Sequence, residues 1–338
     1  MNGIYFPGLG IYFKNVLSGF NVFGVSIKFY GLIIALGFIG AYLISAKEGK
    51  RTGQDPELYL DLLLTLVVPS ILGARIYYII FNTKDFIKEG MSFGQILLGM
   101  INVRNGGLAI YGGLIAGAIT IYFFGRHKKV SWLLILDTIT MGILFGQIIG
   151  RWGNFFNREV FGGYTNSIFR MAIPVEYYST SFMDYLTKSG IVTQEMLSNT
   201  EVVNGVSCIT VHPTFIYESL WNVLVLIIIL LLRKHKKCNG EIFAFYMFLY
   251  GIGRLIIEGI RTDSLMAGSF RISQVVAVLC IVTSVVFIAA SRKKLANSPQ
   301  IEEKVEQIEE KTEEKAENEE KIEKEDEIEE DTTSSPEE

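Results

Sequence analysis

The chain has 338 residues, half of them hydrophobic, with 33 glycines, 7 prolines and a formal net charge of −4. That charge hides two opposed regions: residues 301–338 hold 19 acidic residues and 5 lysines, whereas the first 300 hold 16 acidic and 26 basic ones. Several apolar runs of about 20 residues exclude an ordinary soluble domain and match a hydrocarbon slab about 30 Å thick.

The first twenty residues carry scattered glycines and no compact apolar core, so no cleavable signal peptide is read there. Apolar segments then follow at residues 27–46, 58–81, 108–124, 132–149, 214–232, 242–257 and 272–290. Backbone groups in lipid must bond internally, so each segment is read as a helix. The fold class is therefore an all-α polytopic membrane protein of about seven transmembrane helices. Residues 91–101 are also apolar and read as a re-entrant or interfacial piece.

Lys47, Lys50 and Arg51 follow the first segment, and Arg126, Lys128 and Lys129 follow the third. Arg233, Lys234, Lys236 and Lys237 follow the fifth, and Arg292, Lys293 and Lys294 close the seventh. Basic residues at every second junction place the N-terminus outside and the C-terminus in the cytoplasm. Residues 1–298 form the membrane domain, with an extracytoplasmic head inserted at 151–211. Residues 299–338 form an acidic cytoplasmic tail with the composition of a disordered appendage.

A charge inside a bilayer is costly, about 2.5–3.5 kcal/mol or more at mid-helix, so its placement is informative. Four polar groups stand out, all toward the outer end. In chain order, the first is Arg104-Asn105-Gly106-Gly107-Leu108-Ala109-Ile110-Tyr111-Gly112-Gly113, where paired glycines flank Tyr111. Tyr30, followed by Gly31, is a similar single polar point.

The second group is Gly150-Arg151-Trp152-Gly153-Asn154-Phe155-Phe156-Asn157-Arg158-Glu159. The rigid fork of Arg151 matches phosphate oxygens, and Asn154, Asn157 and Glu159 supply short polar arms. An interfacial anchor is the bland alternative; the density of the cluster favours a site. The third group, His212-Pro213-Thr214-Phe215-Ile216-Tyr217-Glu218, opens the fifth segment, where His212 serves as a base or only as a cap. The fourth is Tyr250, Arg254, Glu258 and Arg261, spaced to share one helix face. Arg254 and Glu258 form either a structural bridge or, with Arg151, an anion clamp.

Other features are set aside. Gly90-Met91-Ser92-Phe93-Gly94 matches a nucleophile elbow without a strand-to-helix turn around it. Asp137, inside the fourth segment, is read as structural. Cys208, Cys238 and Cys280 have no short-spaced pair and make neither a disulfide framework nor a metal knuckle. Gly142, Gly146 and Gly150, and Gly113 with Gly117, are spaced for close helix contact. They are also expected to border lateral gaps in the bundle.

At these residues the sequence resembles the bacterial prolipoprotein diacylglyceryl transferases. GRWGNFFNREVFG from Gly150 looks like that family's signature, and RNGGLAIYGG from Arg104, HPTFIYE from His212 and YGIGRLIIEGIR from Tyr250 match other blocks in the same order. The resemblance covers roughly residues 30–290. It implies a multi-pass enzyme of the bacterial plasma membrane that moves the diacylglyceryl group of phosphatidylglycerol to the lipobox cysteine of a prolipoprotein signal peptide, releasing glycerol phosphate. By position, Arg151 and Arg254 match essential arginines, Asn154 and Glu159 match signature polar residues, and Tyr30, Tyr250 and Glu258 match others tied to function. Tyr111 stands where well-studied members carry histidine, so the resemblance carries no histidine base to that position.

The implied reaction asks for guanidinium groups at the leaving phosphate, the part assigned to Arg151 and Arg254. It also asks for an acceptor of the thiol proton, with His212, Tyr111 and Glu159 as candidates. Asn154, Asn157, Tyr30, Tyr250, Glu258, Gly106 and Gly107 complete the expected substrate-binding set. No metal, redox cofactor or nucleic acid is called for. A transporter is the competing class; it would spread charge along a path across the membrane, often with two related halves.

Overall fold

The computed structural model describes residues 2–87, 91–103 and 106–297; Gly90, Arg104, Asn105 and the acidic tail lie outside the described residues. The chain divides into two units, Met1–Val285 and Val286–Glu338. The contacts described below belong to the first.

Four short strands open the chain: β1 (Ile4–Phe6), β2 (Ile11–Phe13), β3 (Gly19–Val22) and β4 (Val25–Lys28). Helices α1 (Phe29–Arg51) and α2 (Glu57–Phe81) follow, then the short α3 (Thr83–Phe86) and α4 (Phe93–Ile101), then α5 (Ile110–Lys128) and α6 (Trp132–Asn157). Next come β5 (Met171–Pro174), α7 (Thr180–Lys188), α8 (Gln194–Ser198), β6 (Glu201–Val203) and β7 (Val206–Val211). The chain continues with α9 (Thr214–Leu232), α10 (Glu241–Glu258), the two-residue strands β8 (Met266–Ala267) and β9 (Phe270–Arg271), and α11 (Ile272–Ala296).

The seven expected segments all fall on long helices. Five of these, α1, α2, α6, α9 and α11, are long and apolar enough to cross a membrane. Helix α5 is diluted by four glycines and ends on Arg126, His127 and Lys128, while α10 carries Glu241, Arg254 and Glu258. The outward faces of the helices are apolar: Leu36, Leu43, Leu64, Leu72, Leu231 and Leu279 are all more than half exposed. A soluble protein rarely shows so much contiguous apolar surface, and hydrocarbon is the solvent that accepts it. The chain is a multi-pass membrane protein.

Helix α6 is the spine, packed against α1 along its length and against α9, with α10 and α5 at its flanks, while α2 pairs with α5. The glycines lie in these seams. A side chain at Gly142 would strike the Ala41 carbonyl of α1, and Gly73 and Gly112 pack their backbones together between α2 and α5. At Gly142, Gly73 and Gly112 the missing Cβ lets the helix backbones approach closely.

At the end of the bundle where α10 begins, Asp137 accepts hydrogen bonds from the N–H groups of Gly240 (2.8 Å) and Phe243 (2.9 Å) and pairs with Lys236 (3.0 Å). It caps α10, the structural part the sequence suggested. Nearby, Glu48 holds both Arg51 and Arg233.

The opposite end carries a five-stranded antiparallel sheet in the order β2-β1-β5-β7-β6. Two of its strands come from the N-terminus, with Tyr5 opposite Ala172. Its core joins Ile4, Ile173, Ile209 and Val211 to Phe155 of α6 and Phe215 of α9, which seats the head directly on the helix ends. Arg158, 1 % exposed, ties it together: its guanidinium donates to the carbonyls of Asn2 (2.6 Å) and Val16 (2.7 Å) and lies 3.9 Å from the Tyr177 ring centre. Cys208 is fully buried under this sheet, where desolvation pushes its thiol up to about 11.

Candidate active site

Helix α6 does not stop at residue 149. It runs two further turns, carrying Arg151, Asn154 and Asn157, and ends where Arg158 turns left-handed at φ +53°. The extension is held by aromatic packing: Phe155 meets Phe215 at 5.3 Å and Phe156 at 5.3 Å between ring centres. Gly153 leaves the space that the Tyr30 ring of α1 fills. Thus Tyr30 stands beside the turn that bears Arg151, within electrostatic range of both Arg151 and Glu159.

Three arginines converge on one carboxylate. Glu218, 5 % exposed in the second turn of α9, pairs with Arg151 of α6 at 2.5 Å, Arg254 of α10 at 3.3 Å and Arg261 at 3.5 Å. Arg254 also pairs with Glu258 at 2.8 Å, and Arg261 with Asp263 at 2.8 Å. Arg271 donates to the Glu258 carbonyl. Four guanidinium groups and three carboxylates make up this linked network, leaving one positive charge over. A buried carboxylate on an apolar helix is stable only with such partners.

The network reaches Tyr111. Arg254 Nη2 donates to Ser273 Oγ at 3.3 Å, and that hydroxyl lies 3.2 Å from the Tyr111 hydroxyl. Tyr250, one turn before Arg254, stacks at 5.7 Å on Tyr246, whose hydroxyl accepts from Gln147 at 2.8 Å. Arg151, Arg254, Glu258 and Tyr111 are therefore brought together, while Tyr250 lies on the same helix as Arg254 and contacts Tyr246.

Other expected residues form neighbouring groups. Glu159 Oε1 accepts from Asn154 (3.0 Å) and Asn157 (3.1 Å). His212 lies just before α9, with Nδ1 at 3.3 Å from the Tyr217 hydroxyl. Its backbone pairs with Gly162 and Gly163, and Gly162 bridges in turn to Arg261. Burial holds the His212 imidazole below its usual range, so it stands neutral and able to take a proton. Among the described residues, no hydrogen bond joins His212 to the arginine network. Gly106 and Gly107 adopt φ +83° and +79°, which glycine accepts without strain, and both turn their carbonyls onto Arg75.

Sequence reading named Glu218 only as the last residue of its block, with no role, and did not single out Ser273 or Arg75. Glu218 was visible as an acid in an otherwise apolar span, and Arg75 as a lone base in another; either one demands a buried partner. Among the described residues, no cluster of His, Cys, Asp and Glu is suited to a metal ion.

Residues 18–290 match the family model described as prolipoprotein diacylglyceryl transferase. The chain belongs to this family. A phosphatidylglycerol–prolipoprotein diacylglyceryl transferase of Listeria welshimeri is 38% identical over 287 residues, 85% of this chain and 94% of its own length. Those so named in Clostridium novyi and Clostridioides difficile are each 38% identical, over 81% and 82% of this chain and 95% and 96% of theirs. The four blocks that carry the resemblance thus belong to a diacylglyceryl transferase sequence matched nearly end to end. The transferase family match takes in the arginine network, β5, β6 and β7 of the head and every described candidate residue.

Proposed function

We propose that the chain transfers the sn-1,2-diacylglyceryl group of phosphatidylglycerol to the lipobox cysteine of prolipoprotein signal peptides in the bacterial plasma membrane. The observation that carries this reading is the convergence of Arg151 and Arg254, from separate helices, on a single carboxylate oxygen of Glu218. Two guanidinium forks around one oxyanion make the seat that a phosphate oxygen needs.

In the reaction, the cysteine thiolate attacks the glyceryl CH₂ that carries the phosphate ester. A C–S bond forms, the C–O bond breaks, and its electron pair leaves on glycerol phosphate. Positive groups held at the leaving oxygen stabilise that charge without reorganisation, the role this reading gives Arg151 and Arg254. The same field favours the thiolate over the thiol, whose ordinary pKa is about 8.5. The proton acceptor belongs to the group of Tyr111, Glu159 and His212. Tyr30, Asn154, Asn157, Tyr250, Glu258 and the Gly106–Gly107 backbone line the approach for substrate.

The arrangement in the membrane is seven spans, with the head outside. Parity supports it. β1 pairs with β5, so an even number of crossings separates them, and α1, α2 and α6 then require α5 as the fourth. The Gly162–Arg261 bridge likewise returns the end of α10 to the head's side, so α9 and α10 both cross. Basic residues gather at the far ends of α1 and α5, which supports reading that side as cytoplasmic.

The test is transfer of labelled diacylglyceryl from phosphatidylglycerol to a lipobox peptide in vesicles. Wild type moves label to the cysteine, and Arg151→Ala does not, while staying folded because Glu218 keeps Arg254 and Arg261. Folded wild type that binds the lipid and moves no label overturns the reading.

A further inference from the structure

Arg75, in α2, is 7 % exposed, and among the described residues its hydrogen bonds go to backbone carbonyls. Nε donates to the Met100 carbonyl at 2.8 Å, Nη1 to those of Gly106 (2.7 Å) and Gly107 (2.8 Å), and Nη2 to those of Gly99 (2.8 Å) and Asn102 (3.0 Å). A guanidinium has five N–H donors, and these five bonds match them in number. The Phe86 ring covers it at 5.0 Å.

The acceptors come from two places, the C-terminal end of α4 and the segment just before α5. The carbonyls of Gly99 and Met100 belong to the last turn of α4 and that of Asn102 to its C-cap, where intrahelical donors run out and positive charge is favoured. Those of Gly106 and Gly107 precede α5. Between Gly107 and α5, the Ala109 N–H donates to the Ala74 carbonyl at 3.0 Å, so residues 74 and 75 together fix where α5 begins. Tyr111 is the second residue of that helix and is the one that reaches Ser273 and, through it, Arg254.

We propose that Arg75 is a positioning residue for the transfer reaction: its clamp on the carbonyls of residues 99, 100, 102, 106 and 107 sets where Tyr111 stands against Ser273 and Arg254. This rests on the transferase reading above. Lysine cannot replace it, since three donors on one nitrogen cannot span carbonyls at both ends of the connection. Gly107 shows how tight the clamp is, because a Cβ there would lie 2.5 Å from Arg75 Nη1.

The test compares wild type, Arg75→Lys, Tyr111→Phe and the double variant, in the transfer assay and by amide hydrogen exchange over residues 106–113. Displacing a catalytic side chain by about 1 Å can cost up to about a hundredfold, so Arg75→Lys lowers kcat by at least about tenfold, with KM for lipid and peptide within about twofold. Exchange speeds up by about tenfold or more. The double variant is no worse than Tyr111→Phe by more than about twofold, because both act through one group.

Unchanged kcat, unchanged exchange, or losses that multiply in the double variant each overturn the proposal. If Arg75→Lys does not assemble, Gly107→Ala displaces the same clamp with the buried charge intact and is held to the same outcomes. A wild type that transfers nothing sinks the transferase reading alone, and the exchange comparison still decides whether Arg75 orders the start of α5.

Discussion

Glu218 offers the same oxygen, Oε2, to Arg151 at 2.5 Å and to Arg254 at 3.3 Å, and so holds two cations of different helices within one hydrogen-bond radius. Without its charge the guanidinium groups repel and lose their common aim. Glu218→Gln is expected to lower kcat by about a hundredfold, and Glu218→Asp, with a shorter reach, by about tenfold. Transfer kinetics on protein that melts at the wild-type temperature check this; a Gln variant near wild-type rate contradicts it.

Arg151→Lys keeps the charge and loses the planar fork. A lysine reaches Glu218 or a phosphate oxygen, though not both in a fixed plane, so kcat/KM should fall by about a hundredfold. Steady-state kinetics against phosphatidylglycerol measure it.

Tyr111 and Ser273 form one link to Arg254. Tyr111→Phe and Ser273→Ala should each cost about ten- to thirtyfold in kcat, and the pair together no more than the worse single change. Full additivity would mean the two hydroxyls serve different steps.

His212 is held below its ordinary pKa by burial, so it is neutral at pH 7 and charges only as the pH falls below about 6.5. If it accepts the thiol proton, the rate declines on that acid side, and His212→Gln flattens the limb. A pH–rate profile identical in both proteins removes His212 from the chemistry.

Cys208 is fully buried and its thiol is raised to about 11, so almost no thiolate exists below pH 9. Iodoacetamide at pH 8 should leave Cys208 unmodified in the folded protein and label it after denaturation. Mass spectrometry of the Cys208 peptide reads the result directly, and labelling of native protein would mean the head opens readily.

The long helices were legible because lipid requires apolar runs of a fixed length, and those runs are uninterrupted in residues 214–232 and 272–290. The extension of α6 past Ile149 was not, because Arg151, Asn154 and Asn157 read as a polar exit. Phe155 and Phe156 hold those turns helical through contacts with Phe215 and the head, which local pattern does not reveal. The sheet was also hidden, since its strands have three to six residues and pair across the whole chain. Within the site, motif spacing pointed to Arg151 and Arg254. Their meeting on Glu218 depends on the relative rotation of three helices, which no single segment encodes.

The place of β1 between β2 and β5 has a consequence for biosynthesis. Tyr5 pairs with Ala172, 167 residues later, and at about 5–20 residues per second the hairpin waits about ten to thirty seconds for its partner. The helices between them must meanwhile settle so that the two strands can meet. A chain in which one of them fails is left with a bare sheet edge, the kind of surface that invites aggregation and quality-control proteolysis. The head can therefore close only on molecules in which β1 and β5 have come to lie side by side.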